Sequence, residues 1–373
     1  MARGSIVKRP TADRKGRNYF AVYRLPNGKQ KWEKAGSTKK QAERLLARRT
    51  EELYSGKYRE LTPATFEEFS AKWLAEYAKP QLKPSTFDGY RRCVENHLVP
   101  AFGTYPLTGI TAGQIQEWMA KLLASGRSGK TANNYLVPLK KMLSDAVRWG
   151  YLASNPAADV ERARVAHKEM RVLTPSQVQR LLAAAEPEYK LLFQVAIFTG
   201  VRSGELLALR WGDVDWERSQ LCVRRSVWNG QVGTPKSARG VRRINLGPRL
   251  LVALRVAKPD SCPPDQLIFR NHKGTFVNPR NLVQRHFEPA LKRAGLSHVR
   301  FHDLRHTFAT LLITGGTHPK LIQDQLGHAS IQTTLDRYGH LLPSVGENQG
   351  ARLEALVDEP GGQDETEPEQ EAA

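Results

Sequence analysis

The chain has 373 residues, with 57 Lys and Arg against 37 Asp and Glu, giving a formal net charge of +20 at pH 7. Hydrophobic residues make up 40% and charged residues 25%, which excludes a wholly disordered chain, and no apolar run reaches the ~18 residues of a membrane span. The three cysteines, Cys93, Cys222 and Cys262, are odd in number and far apart, which excludes a disulfide framework and a C-x-x-C zinc site.

The N-terminus MARGSIVKRP is charged, with no apolar stretch behind it, so the expected location is cytoplasmic. Residues 1–60 hold 17 Lys and Arg against 6 Asp and Glu, a local concentration of positive charge that points to a polyanion such as nucleic acid. Within them, RNYFAVYRLPNGKQKWEKAG alternates apolar and polar residues around Pro26-Asn27-Gly28, a hairpin signal. KKQAERLLARRTEELYSG follows as a helix with Leu45, Leu46 and Leu53 at helical spacing. A three-stranded sheet plus one helix is the expectation for 1–60. A basic but merely structural extension is the alternative.

Residues 65–152 read as a four-helix domain. TFEEFSAKWLAEYAKP opens with Thr65 and Glu68 in capping-box spacing and carries Phe66, Phe69, Trp73, Leu74 and Tyr77 on one face. Residues 153–170 contain Asn155-Pro156 and no apolar periodicity, and read as a linker. From residue 171 to 345 the pattern is mixed but mostly helical. Thr174 and Gln177 form another capping box, and YKLLFQVAIFTG is a buried helix ending at Gly200. QLCVRRSVWNGQV and ARGVRRINL are expected strands flanking a turn that holds Lys236. Residues 346–357 resume a short apolar pattern with Leu353, Leu356 and Val357 after a Gly- and Pro-bearing connector, and suit a docking helix. Residues 358–373 hold seven acidic and no basic side chains and read as a disordered tail. The fold class is therefore multidomain: a small α+β module, a helical bundle and a mainly α mixed domain.

Several chemistries have no visible residues. There is no G-x-x-x-x-G-K-[ST] loop, no G-x-S-x-G elbow and no H-E-x-x-H. His302 and His306 have zinc-ligand spacing but no third ligand nearby, so no metal or cofactor is expected. TGVRSGEL places Arg202 just past a helix-ending glycine, where an arginine is ordinarily a surface or ion-pair residue. FHDLRHTFAT puts His302 and Arg305 three apart on one helical face, and LGHASIQTTLDRYGH gives His328 and Tyr338 ten residues apart.

In this order the segments TGVRSGEL, the Lys236 hairpin, HDLRHTFAT, LGHASIQTT and RYGH resemble the tyrosine recombinase (phage integrase) family. The resemblance implies a helical core-binding domain over 65–152, a catalytic domain over 171–345 and an arm-type DNA-binding module over 1–60. It implies Tyr338 as the nucleophile that forms a 3′-phosphotyrosyl link, with Arg202 and Arg305 on the nonbridging phosphate oxygens. Lys236 would be the general acid for the 5′-hydroxyl, although Arg239, Arg242 and Arg243 lie in the same hairpin. His302 would assist proton transfer at the tyrosine, and His328 would support the transition-state phosphate. Glu205 and Asp303, inside the motifs, would orient the arginines or the helices. The implied function is site-specific recombination that integrates, or excises, a mobile element such as a prophage. The implied partners are double-stranded DNA with core and arm sites, a homotetramer on DNA, an excisionase and a host bending protein, and no membrane. Type IB topoisomerases share such a site, and a non-catalytic DNA-binding protein is the remaining alternative. The residue types suit the task. Guanidinium offers a permanently charged donor fork matching phosphate, and the covalent link stores the phosphodiester energy, so no nucleotide is needed.

Overall fold

The protein is described from a computed structural model at residues 4–10, 17–56, 58, 60–166, 170–235 and 238–339. Lys236, the expected docking helix 346–357 and the acidic tail 358–373 lie outside these residues. The chain divides into two units, 1–167 and 168–373.

The first unit begins with strands β1 (Ser5–Pro10), β2 (Arg17–Arg24) and β3 (Gln30–Gly36), antiparallel in that order. Helix α1 (Lys39–Tyr54) starts at Thr38, whose hydroxyl and the Gln41 side chain cap each other's backbone. Ala21, Val22 and Tyr23 of β2 and Ala42 of α1 are buried. So small a set of apolar contacts leaves ion pairing to fix the helix. Arg49 grips both carboxylate oxygens of Glu33 at 2.9 and 2.7 Å, and Tyr23 Oη donates to the same carboxylate at 2.6 Å.

Four helical stretches follow. α2 (66–81) and α3 (84–102) each contain one π-helical turn, Leu74–Ala78 and Val94–Leu98; then come α4 (Ala112–Ala124) and α5 (Gly129–Arg148). Phe66, Phe69 and Trp73 of α2 meet Leu98, Met119, Leu139 and Leu143 in a common core, while Leu74 and Tyr77 pack at its edge. A buried carboxylate lies there as well. Asp145 accepts from Trp73 Nε1 at 2.7 Å and from Lys141 Nζ at 2.8 Å, and Arg148 also donates to it.

Residues 153–164 differ from the linker that the sequence suggests. Ala157 and Val160 are buried in the helical core, Asn155 Nδ2 donates to Lys140 O at 3.0 Å, and Ala163 N donates to Asn133 Oδ1 at 2.9 Å. Side chains of α5 satisfy this irregular backbone, so it packs without the periodicity of a helix or strand.

In the second unit, α6 (Pro175–Ala184) and α7 (Pro187–Thr199) precede the short α8 (Ser203–Leu206). Strands β4 (Val214–Asp215), β5 (Gln220–Val223) and β8 (Arg242–Asn245) make one antiparallel sheet, and β6 (Ser226–Trp228) and β7 (Gln231–Gly233) make a hairpin. The run expected as a single strand, 220–232, is thus three. It breaks where Arg225 Nη2 turns to Asp213 at 2.7 Å, and again at Asn229-Gly230, both with positive φ. Helices α9 (Pro248–Ala257), α10 (279–293), α11 (Asp303–Thr314), α12 (Pro319–Leu326) and α13 (Ile331–Tyr338) complete the unit. The near-continuous apolar face of α7 buries Phe193, Ala196 and Ile197 with Phe287 and Leu304. No helix among the described residues is long and apolar enough to cross a membrane.

Removing the buried carboxylate at the heart of the first unit tests this packing. Asp145→Ala should destabilise the unit by about 2–3 kcal/mol, because the Trp73 indole N–H is left buried without an acceptor. Urea unfolding followed by tryptophan fluorescence checks it.

Candidate active site

Three arginines from separate elements converge on the carboxyl end of α12. Arg242 of β8 donates from Nε to Gln325 O at 2.7 Å, Arg305 of α11 donates from Nη2 to Leu326 O, and Arg202 donates from Nη2 to Gly327 O at 3.4 Å. These are successive carbonyls at the negative end of a helix, where donors are needed to finish the last turn. Gly327 is left-handed, at φ 65°, and a Cβ there would stand 2.8 Å from Arg239 O. Only glycine lets the chain turn so tightly beside the arginines.

Arg202 is placed by the turn between α7 and α8. Gly200 ends α7 with φ 60°, and a Cβ at this position would lie 2.3 Å from the Phe308 ring. Arg305 Nη1 donates to Gly200 O at 2.7 Å, so one buried guanidinium ties this turn to α12. Glu205, only 1% exposed, accepts from Arg202 Nη1 at 2.8 Å and Arg242 Nη2 at 2.9 Å, holding the two guanidinium groups together. Burial opposes its charge, yet Arg242 and Arg202 keep its pKa below the ordinary carboxylate value. For Arg305, burial and then the positive charges of Arg202 and Arg242 pull the pKa down to about 9, so it remains a cation at neutral pH.

The histidines occupy different environments. His328 is buried, its Nδ1 is 2.9 Å from Thr334 Oγ1, and its backbone is locked to Gln323 in both directions, at 3.1 Å each way. Burial first, and then Arg305 and Arg202, lower its pKa to about 3. His302, on the residue before α11, is exposed. Partial desolvation and Arg305 still hold its pKa below the usual value. Asp303, buried, takes three hydrogen bonds from Arg300 side-chain nitrogens and one from its backbone, fixing the start of α11.

Tyr338, at the last turn of α13, is 1% exposed among Phe308, Ala309, Ile322 and Leu326. Its hydroxyl lies 2.6 Å from His306 Nδ1. Burial pushes the phenol up to about 12, against the lowering pull of Arg305 and Arg337. His306 is itself buried, and desolvation with His302 nearby lowers its pKa to about 4. The residue in contact with the tyrosine is therefore His306, one turn beyond His302. The i, i+4 spacing of the two histidines was the available signal; that Tyr338 meets the second of them depends on where α13 packs. Arg242 and Glu205 likewise gain their roles only through the sheet-to-helix contact. Of the residues singled out in the sequence, Arg202, Arg305, His328 and Glu205 are brought together around the end of α12, with Tyr338 beside Arg305's helix. Among the described residues no group of three or more His, Cys, Asp or Glu could hold a metal ion.

Residues 171–344 match the model of the "Phage integrase family" and residues 65–123 that of the "Phage integrase, N-terminal SAM-like domain". The putative prophage phiRv2 integrase of Mycobacterium tuberculosis is 31% identical over 306 residues, 79% of this chain and 79% of that protein. The ICEBs1 integrase of Bacillus subtilis is 29% identical over 337 residues, 86% of this chain and 91% of its own length. Among solved structures, the Tn1549 transposon integrase in complex with a circular intermediate DNA superposes with a TM-score of 0.64 at 23% identity, covering 79% of this chain and 99% of that one. A lambda integrase tetramer bound to a Holliday junction gives 0.58 at 21% identity, covering 88% and 93%. These two likenesses concern the fold.

The buried neutral histidines predict a pH-dependent stability. Below about pH 6.5 the unfolded chain protonates these rings while the folded state does not, so stability falls as pH drops toward 4. Each contributes a slope of up to about 1.4 kcal/mol per pH unit. His328→Asn should remove about one proton's worth of that slope, as measured by denaturant unfolding of the second unit between pH 7.5 and 4.5.

Proposed function

The chain belongs to the phage integrase (tyrosine recombinase) family, and on that premise we propose that Tyr338, Arg202, Arg305, His328, His302 and Lys236 carry its strand exchange. The enzyme cleaves and rejoins DNA site-specifically, integrating a mobile element such as a prophage. The single observation that carries the site assignment is the convergence of Arg202 and Arg305 on neighbouring carbonyls at the end of α12, beside the helix that contacts Tyr338.

Tyr338 Oη attacks a DNA phosphorus, forming the 3′-phosphotyrosyl bond and expelling the 5′-oxygen. Arg202, partly exposed, and Arg305 meet the nonbridging oxygens, and their charge stabilises the pentacoordinate phosphorane as it develops. His328, neutral and fixed by Thr334, offers the phosphate a directed hydrogen bond. Lys236 protonates the leaving 5′-oxygen, releasing the 5′-hydroxyl. Glu205 and Asp303 act through Arg202, Arg242 and Arg300 rather than on the substrate. The guanidinium groups supply the charge that a metal gives in other phosphoryl transfers.

Residues 1–60 bind arm-type DNA, a reading supported by their excess of 17 basic over 6 acidic residues and by Arg9 lying over Trp32, 4.3 Å from the ring centroid. Residues 65–152 grip the core site, and the protein works as a homotetramer in the cytoplasm, with an excisionase and a host bending protein as accessory factors. The topoisomerase alternative is disfavoured, since the relatives above are integrases of prophages and mobile elements.

Tyr338→Phe should keep core-DNA binding and lose the covalent adduct on a nicked suicide duplex. Arg202→Ala and Arg305→Ala should each slow cleavage by ~10²–10³-fold. Arg305→Ala should also lower the unfolding midpoint, because two buried carbonyls lose their donor. Adduct formation should persist in EDTA. A full adduct yield from Tyr338→Phe overturns the nucleophile assignment.

A further inference from the structure

We propose that His306 is the group that takes the proton from the attacking tyrosine and returns it on rejoining. This rests on the reading of Tyr338 as the nucleophile. Three observations carry it. First, His306 Nδ1 lies 2.6 Å from Tyr338 Oη, within the reach required of a general base. Second, both residues are buried, with Tyr338 at 1% and His306 at 5% exposure, so the contact is shielded from bulk solvent. Third, the His302 ring stands edge-on to the His306 ring, centroids 5.3 Å apart at 90°, so His302 is placed to support His306.

The surroundings suit an acceptor. His302 just before its helix, Asp303 and Arg305 on that helix, and Arg337 and Tyr338 on α13 are the charged and titratable groups around His306 among the described residues. Burial and the neighbouring positive charges keep the imidazole neutral, so a ring nitrogen has a lone pair to offer. An anionic phosphate entering beside Arg202 and Arg305 offsets those charges and favours the imidazolium.

The step balances. The Oη–P bond forms as the P–O5′ bond breaks; the phenolic proton passes to His306 Nδ1, and the 5′-oxygen takes its proton from Lys236. In rejoining, the 5′-hydroxyl attacks, its proton goes back to Lys236, the Oη–P bond breaks, and His306 returns its proton to Tyr338. The acceptor stands on the same helix as Arg305.

The test uses the full-length protein and a suicide duplex carrying one core half-site. His306→Asn places an amide near the Nδ1 position but cannot take up a proton. It should bind the core DNA as wild type does and form the adduct ~10²–10⁴-fold more slowly. A 5′-bridging phosphorothiolate, whose sulfur leaves without a proton, should rescue Lys236→Ala and leave His306→Asn slow. Fluorotyrosine at position 338, with its more acidic phenol, should recover part of the His306→Asn loss. A His306→Asn rate within threefold of wild type, or a faster one, overturns the proposal, as does full rescue by the phosphorothiolate.

A second measurement needs no variant. Nitrogen NMR of the wild-type enzyme should show His306 protonated on Nε2 with Nδ1 as acceptor. The opposite tautomer, with Nδ1 donating to the phenol, overturns the proposal even where variants fold poorly. Tyr338→Phe separates the two readings. Adduct from that variant defeats the assignment of the nucleophile, whereas no adduct from it together with near-normal His306→Asn defeats only the role of His306.

Discussion

The catalytic unit is organised by the carboxyl end of α12, where three guanidinium groups finish the helix. Carbonyls 325, 326 and 327 belong to the last turn, which has no intrahelical donors to offer them, and Arg242, Arg305 and Arg202 supply donors. Each arginine arrives from a different element, so the strand β8, the helix α11 and the α7–α8 turn are all pinned to one point. Glu205 is the carboxylate that pairs with Arg202 and Arg242, so the cluster retains a positive excess. Burial first, and then the charges of Arg202 and Arg242, depress the pKa of Arg305. A phosphate diester is the kind of group that relieves such an excess.

The second constraint is burial. Desolvation raises the phenol of Tyr338 and lowers the imidazoles of His306 and His328, so all three are neutral in the physiological range. A phenol held this way stays protonated unless a specific partner takes its proton. His306 is the side chain in contact with that hydroxyl. The arrangement also explains why α11 carries such different side chains on adjacent turns: Leu304 faces the main core, Phe308 and Ala309 pack around Tyr338, and Thr307 caps the backbone of Leu173.

The first unit is built on different physics. Its helical part has a conventional aromatic and aliphatic core around Trp73, with Asp145 as its one strongly anchored polar group. Its N-terminal sheet buries little and relies on the Arg49–Glu33–Tyr23 network to hold α1 in place. That economy of core leaves most basic side chains of β1, β3 and α1 at the surface, where their charge acts over a distance of about one Debye length.

Much of this was decided locally and is readable in the chain. Capping boxes at Thr65 and Thr174 set helix starts because the bonds join residues three apart, and the Gly200 stop follows from the left-handed turn only glycine takes without strain. The motif order around Arg202, Arg305, His328 and Tyr338 marks the chemistry for the same reason: side-chain type is a property of sequence. Other features depend on partners far along the chain. Ala157 and Val160 look like linker residues because their place in the core depends on α5 far along the chain, where Lys140 Nζ donates to Val160 O. The expected single strand at 220–232 breaks because Asp213 captures Arg225. His306 and Tyr338 are 32 positions apart, and Arg242 and Gln325 are 83 apart. Spacing within a helix says which residues share a face; which residue meets that face is fixed only when the elements pack, and there the tertiary structure gave the tyrosine its histidine and the helix end its arginines.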